Sequence, residues 1–261
     1  MDLQLQGKTA LVLASSQGLG KAIAEQFVRE GVNVMITSRN EQKLIDVQKE
    51  LRQIGSGDVQ YKVCDVTKLE QIQEVVQATA ELFGGIDILV NNAGGPKPGT
   101  FEQLTDEDWY GSFELNLLSY IRTIREVLPY LKKNGGKIIN IASSSVKEPI
   151  SGLLLSNTFR VGITGLTKTL ATEFAPYGIL INTVAPGRIA TDRVASLDQM
   201  RSEQFGISVE ETKKRYEESI PLGRYGKPSE FANVVTFLAS AANTYMTGNS
   251  FLVDGGAVKG L

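Results

Sequence analysis

No histidine occurs anywhere in the 261 residues. A Ser-His-Asp triad, a His-ligated metal and imidazole acid–base chemistry are therefore excluded. The single cysteine, Cys64, rules out an intramolecular disulfide, and its setting in the apolar run YKVCDV predicts a buried strand residue. No run of about 18 apolar residues is present, so no spanning helix is expected. The N-terminal MDLQLQGKTALVLAS starts acidic and breaks into serines and glycine, unlike a signal peptide. The formal charge of −2 gives no bulk basic field for nucleic acid or anionic lipid. These absences predict a soluble cytoplasmic protein that binds neither nucleic acid nor membrane and carries no metal.

What is present is a strict alternation of short apolar runs and amphipathic segments. Strands are predicted at Lys8 to Leu13, Asn33 to Ser38, Gln60 to Cys64, Ile86 to Val90, Lys137 to Ile141, Ile179 to Val184 and Asn249 to Val253. Between them lie helical patterns. One runs over KAIAEQFVREG to Gly31, and a second to about Ile54. Another, capped by Thr67 and Glu70, continues through Phe83. One capped by Thr105 and Asp108 passes Asn116 and ends near Pro129, and one reaches about Phe174. Pro228 opens the last, through Ser240. Such alternation implies right-handed βαβ crossovers. The predicted fold is α/β, a doubly wound parallel (Rossmann) sheet of about seven strands with helices on both faces, in one domain over 1–261. The polar stretch 188–219, with a short charged helix capped by Ser208 and Glu211, is expected as an irregular segment covering the substrate.

In such a sheet the chemistry sits at the C-terminal ends of the strands. Gly18 and Gly20, between the first strand and helix, fit a turn that lets backbone approach a pyrophosphate at a helix N-terminus; a plain tight βα turn is the bland alternative. Asp65 ends the third strand, where it can accept from an adenine amino group. Asn91-Asn92-Ala93-Gly94 ends the fourth with small residues beside a flat ring. Ser38 stands where a carboxylate would hold a ribose diol, and Arg39 follows it. That pair favours NADP(H) over NAD(H), although Arg39 also reads as a solvated helix-start residue. The fifth strand ends in Ser143, Ser144 and Ser145.

LASSQGLG, CDVT, NNAG, the Asn116 of ELNLLS, IINIASS, PGRIAT, PLGRYGKPSE and TGNSFLVDGG together resemble the short-chain dehydrogenase/reductase family, in the single-domain form that includes 3-oxoacyl-[acyl-carrier-protein] reductases. The resemblance spans nearly the whole chain. It implies a cofactor set of Ser15, Ser16, Gln17, Gly18, Leu19, Gly20, Ser38, Arg39, Asp65, Val66, Asn92, Ala93, Gly94, Pro186, Gly187, Ile189 and Thr191. It also implies an active site of Ser143, Ser156, Arg160 and Asn116, a small-molecule substrate, and a homotetramer or homodimer.

Several positions depart from the family pattern. Leu13-Ala14 replaces its Thr-Gly, and Gln17 replaces the basic residue of many NADP-preferring members. The Tyr-x-x-x-Lys that follows the catalytic serine by thirteen residues falls on Ser156 and Arg160. None of the eight tyrosines has a lysine four residues on, and a Tyr-x6-Lys spacing would need tyrosine at Val161. An aliphatic hydroxyl is a poor acid, although it can donate to a developing oxyanion. A guanidinium cannot relay a proton. The sequence thus leaves open an NADP-dependent oxidoreductase with an atypical acid, a cofactor-binding protein without turnover, and a subunit that binds no cofactor. Tyr216 and Lys147 are candidate substitute acids, and Arg193, Met200 and Phe205 are candidate pocket contacts.

Overall fold

The computed structural model describes residues 2–260, and all seven predicted strands are in it. They are β1 (Thr9–Val12), β2 (Asn33–Ser38), β3 (Val59–Val63), β4 (Ile88–Asn91), β5 (Gly136–Ile141), β6 (Ile179–Pro186) and β7 (Ser250–Val253). They form one sheet in the order β3-β2-β1-β4-β5-β6-β7, and every pairing is parallel. The helices are α1 (Gly18–Arg29), α2 (Glu41–Leu51), α3 (Leu69–Phe83), α4 (Asp106–Phe113), α5 (Ser119–Asn134), α6 (Leu154–Phe174), α7 (Asp192–Phe205), α8 (Val209–Ser219) and α9 (Pro228–Ala239).

Strand periodicity explains the two cores. Ala10 and Val12 face one side of β1 and join Ile23, Phe27, Leu44 and Phe231 beneath α1, α2 and α9. Leu11 and the following Leu13 face the other side and join Ile72, Val127, Leu131 and Phe174 beneath α3, α5 and α6. Successive side chains alternate faces, so a strand covered on both sides must be apolar throughout. The order reverses between β1 and β4, and the crevice at their C-terminal ends is the topological switch point of the sheet.

Four expectations are corrected. Thr67 does not cap α3: its hydroxyl bonds the Asp65 carboxylate at 2.9 Å, and the helix starts at Leu69 after an uncapped Lys68. The helix through Asn116 does not end at Pro129. Pro129 lies inside α5, exposed to water, where the carbonyl its ring leaves unpaired can be solvated. That helix is also not continuous, because a π-helical turn, Glu114–Leu118, joins α4 to α5. Finally, 188–219 is not irregular. It forms α7 and α8, with Thr191 capping the first (Val194 N to its Oγ1, 3.4 Å) and Ser208 the second (Glu211 N to its Oγ, 3.1 Å). The buried residues of α7 are Asp198 and Ser202, so its inner face carries no apolar period to read.

A polar anchor holds this segment to the sheet. Arg188, just after β6, forms an ion pair with Asp198 and stacks its guanidinium 3.1 Å from the centre of the Tyr216 ring. The Tyr225 hydroxyl donates to Asp198 at 2.9 Å. Burial, reinforced by that carboxylate, pushes the Tyr225 phenol well above its ordinary pKa against the pull of Arg188.

Candidate active site

A cleft of about 940 Å³ runs along the C-terminal ends of the strands, beneath α7. One half is built on the β1–α1 turn. α1 starts there with Gln17 as its N-cap, and Gln17 makes no side-chain bond to the helix. Its amide groups and dipole are thus left for an anion. Gly20 is required by packing: a Cβ there would stand 2.4 Å from the Ala14 carbonyl oxygen and 2.9 Å from the Asn92 side-chain nitrogen. Asn92 donates to that same carbonyl at 3.2 Å, tying the β1 and β4 loops together. Ala14 itself has φ of +47°, the left-handed region that costs a residue with a Cβ about 1–2 kcal/mol. The turn keeps a glycine's conformation without the glycine.

Ser16, Gln17, Gly18, Leu19, Ser38, Arg39, Asp65, Val66, Asn92, Ala93, Gly94, Pro186, Gly187, Ile189 and Thr191 all line this cleft. Ser15 and Gly20 do not. Ser15 is fully buried; its hydroxyl bonds the Val12 carbonyl at 2.8 Å and accepts from Thr37 N at 2.9 Å, bracing the turn from behind. Lys43, which the sequence does not single out, also lines the cleft and reaches across from α2 to Gln17 (2.7 Å). Arg39 and Lys43 therefore put two cations at the end of β2, and neither has an acidic partner among the described residues.

The other half holds Ser143, Ser156 and Arg160 with Leu115, Leu153 and Leu197. The Ser143 oxygen accepts from Ser145 N at 3.2 Å, which leaves its proton to point elsewhere. Ser156, one turn before Arg160 on α6, is 6 % exposed, and its hydroxyl bonds no described residue. Arg160 is 5 % exposed. It donates to the Ile141 carbonyl at 2.7 Å, to the Tyr120 hydroxyl at 2.9 Å and, at 3.4 Å, to the Ala93 carbonyl. Tyr120, overlooked in the sequence because it lies forty residues from Arg160, donates in turn to the Ile141 carbonyl at 2.7 Å. Burial raises the Tyr120 phenol above its ordinary pKa, and the Arg160 charge only partly offsets this. Tyr120 stays protonated and lies outside the cleft lining.

Asn116 also lies behind the cleft rather than in it. From the π-helical turn its amide donates to the Gly94 carbonyl at 2.8 Å and fixes the loop after β4. Tyr216 is occupied by Arg188 and Lys147 is exposed at the surface; neither lines the cleft. Of the expected pocket contacts on α7, Arg193 lines it, with Val194 and Leu197. Met200 does not, and Phe205 is 54 % exposed. A second hollow, of about 800 Å³, lies at the opposite ends of the strands around Thr9, Asp87 and Glu81, away from these groups.

The family model described as "Enoyl-(Acyl carrier protein) reductase" matches residues 13–258. The 3-oxoacyl-[acyl-carrier-protein] reductase FabG of Aquifex aeolicus is 36% identical over 257 residues, covering 98% of this chain and 99% of that protein. The L-sorbose reductase of Gluconobacter frateurii, solved with NADPH and L-sorbose, superposes with a TM-score of 0.95 at 32% identity over 100% of both chains. An actinorhodin polyketide ketoreductase solved with NADPH gives 0.92 at 34% identity, over 96% of this chain and 97% of that one.

Proposed function

The chain belongs to the short-chain dehydrogenase/reductase family of NAD(P)-dependent oxidoreductases, and from that premise we propose that it is an NADP(H)-dependent carbonyl reductase with an atypical proton-donating centre. The observation that supports this reading is the continuity of the cleft. Its glycine turn and uncapped helix end suit a dinucleotide pyrophosphate, and it runs without interruption to Ser143, Ser156 and Arg160.

The residues fit the cofactor. The Gly18–Gly20 backbone and the N-terminus of α1 would hold the pyrophosphate, and Asp65 and Val66 would flank the adenine. Arg39, Lys43 and Ser38 would take a 2′-phosphate, which favours NADP(H) over NAD(H). When bound, NADPH supplies a hydride. The chain supplies the rest. Ser143 and Ser156 donate hydrogen bonds to the carbonyl oxygen as negative charge develops there, and the Arg160 guanidinium adds a fixed positive charge behind them. No phenol lines this end of the cleft, so the proton comes from water. The reading keeps the expectation of a single-domain, cytoplasmic homodimer or homotetramer acting on a small molecule.

Ser156 in place of an acidic phenol favours a second reading, saturable NADPH binding without turnover. Fluorescence titration with NADPH, followed by its oxidation rate with a broad carbonyl panel, separates the two. Micromolar binding with steady oxidation supports the reductase. Binding with oxidation at the background rate overturns it in favour of the second reading, and absence of binding overturns both.

A further inference from the structure

Two guanidiniums line one end of the cleft and bond the same loop, with no counter-charge paired to either among the described residues. Arg160 rises from α6, 5 % exposed, with only neutral acceptors around it. Arg193 crosses from the cover helix α7 to the opposite lip and donates to the Pro96 carbonyl at 2.8 Å. Its side chain lies so close on Gly95 that a Cβ there would come within 2.7 Å of it. The two side chains thus grip one loop, Arg160 at Ala93 and Arg193 at Gly95 and Pro96. Among the described residues the arginine ion pairs engage Arg29, Arg52, Arg122, Arg188, Arg215 and Arg224; Arg160 and Arg193 are not among them. Two carboxylates do line the cleft. Asp65 is at the far end, bonded to Thr67, and Asp192 opens α7, exposed and paired with neither guanidinium. The Arg193 guanidinium is held below its ordinary pKa by burial first and by the Arg160 charge second, so the two positive charges act on each other.

Arg160 is a buried cation without an anion among the described residues, which is costly. Arg193, exposed on the lip of the cleft, adds a second positive charge beside the same loop, and the cofactor would leave both unanswered. Its phosphates would lie at the α1 turn and at Arg39, whereas its nicotinamide end becomes more positive on oxidation. The balancing charge must then arrive with the substrate. We propose that the substrate is a small oxo acid whose carboxylate binds between Arg193 and Arg160, next to or one carbon from the reacting carbonyl, with its hydrocarbon part against Leu115, Leu153 and Leu197.

This inference rests on the carbonyl-reductase reading. In the step it implies, hydride from NADPH forms the new C–H bond, the carbonyl π pair moves to oxygen, and water supplies the proton. The products are a hydroxy acid, NADP⁺ and hydroxide.

The test pairs binding with turnover. Oxamate, and its neutral counterpart oxamide, are titrated calorimetrically into the protein saturated with NADP⁺. Oxidation of NADPH is followed with 2-oxo acids from pyruvate to phenylpyruvate and with their methyl esters. Arg193→Gln and Arg193→Lys, at an exposed position, serve as variants, with melting temperatures checked against the parent. The expected result is oxamate binding that Arg193→Gln weakens about 10- to 100-fold, the worth of a charge-assisted contact, and that Arg193→Lys weakens less. Acids should also exceed esters in kcat/KM by a similar factor. Oxamate binding of this kind without turnover of any carbonyl upholds the anion site and overturns the reductase reading. Esters turned over as well as acids, with oxamate affinity unmoved by Arg193→Gln, overturns the anion site and leaves the reductase reading standing. No oxamate binding, or tighter binding of glycerol phosphate than of oxamate, also overturns the proposed carboxylate site.

Discussion

The Tyr120 hydroxyl and the Arg160 guanidinium are 2.9 Å apart, and both donate to one acceptor, the Ile141 carbonyl at the end of β5. The arginine is therefore held by strand backbone and a buried phenol, not poised in solvent. The phenol lies outside the cleft lining, and its proton is committed to that carbonyl.

Restoring the family pair should raise turnover. Ser156→Tyr with Arg160→Lys places a phenol at a cleft-lining position with an ammonium one turn away, and positioned general acids contribute about 10²–10⁴-fold. The expected gain in kcat for NADPH-dependent carbonyl reduction is at least about 100-fold over the parent chain. Ser156→Tyr alone should gain much less, because the Arg160 guanidinium that stays beside it is committed to the Ile141 and Ala93 carbonyls and the Tyr120 hydroxyl and does not readily give up a proton to recharge the phenol. Stopped-flow traces of NADPH consumption measure both, and a double variant no faster than the parent removes the assignment of Ser156 to the acid position.

Ala14→Gly should stabilise the protein. Releasing a left-handed alanine recovers about 1–2 kcal/mol, of which about 0.4–1 kcal/mol is returned through the freer unfolded chain. The net gain of roughly 0.5–1 kcal/mol is read as a higher urea midpoint at unchanged slope.

Arg39→Ala and Lys43→Ala should each weaken NADPH binding about 10- to 100-fold, the loss of a charge-assisted contact. NADH affinity should change little. Paired titrations with the two cofactors check this, and a parallel loss for both would assign the two cations to the common part of the dinucleotide.

Cys64 should be inert and should make stability fall in alkali. Burial, with Asp65 and Glu74 nearby, pushes its thiol up to about 12. The unfolded thiol ionises near 8.5. The thiol term is therefore constant below about pH 8.5, and the unfolded state gains over the folded one as pH rises from there toward 12. Thiol reagents should not label the folded protein at pH 8. In urea titrations from pH 7 to 10, Cys64→Ala should lose less stability than the parent on the alkaline side.

Most of the fold was legible because burial imposes a period. β1 must be apolar on both faces, and α1 shows Ile23 and Phe27 at helical spacing. Ser143, Ser156 and Arg160 are indicated by the resemblance to the family, whose serine and Tyr-x-x-x-Lys spacing falls on them, and all three line the cleft. The parts that escaped are those the chain assembles across distance or builds from polar groups. Tyr120 meets Arg160 only because the π turn and the start of α5 lie against α6, where Tyr120 also packs on Ile163. Lys43 reaches Gln17 only because α2 lies beside the β1 turn. α7 buries a carboxylate satisfied by Arg188 and Tyr225, a face that hydrophobic patterning cannot register. Asn116 was found as a residue, but its hold on the Gly94 carbonyl depends on a widened helical turn that no sequence period announces.

That π-helical turn, Glu114–Leu118, has a consequence for how the chain can change. A π turn accommodates one residue more than the α-helix around it, while the flanking helices keep their faces. Removing one residue there would let α4 run straight into α5 with both apolar faces still seated, and would take away only the bend from which Asn116 reaches Gly94. At this point an insertion or deletion, rather than a substitution, would shift the loop after β4, and a change of one in chain length would retune the cleft without unmaking the fold.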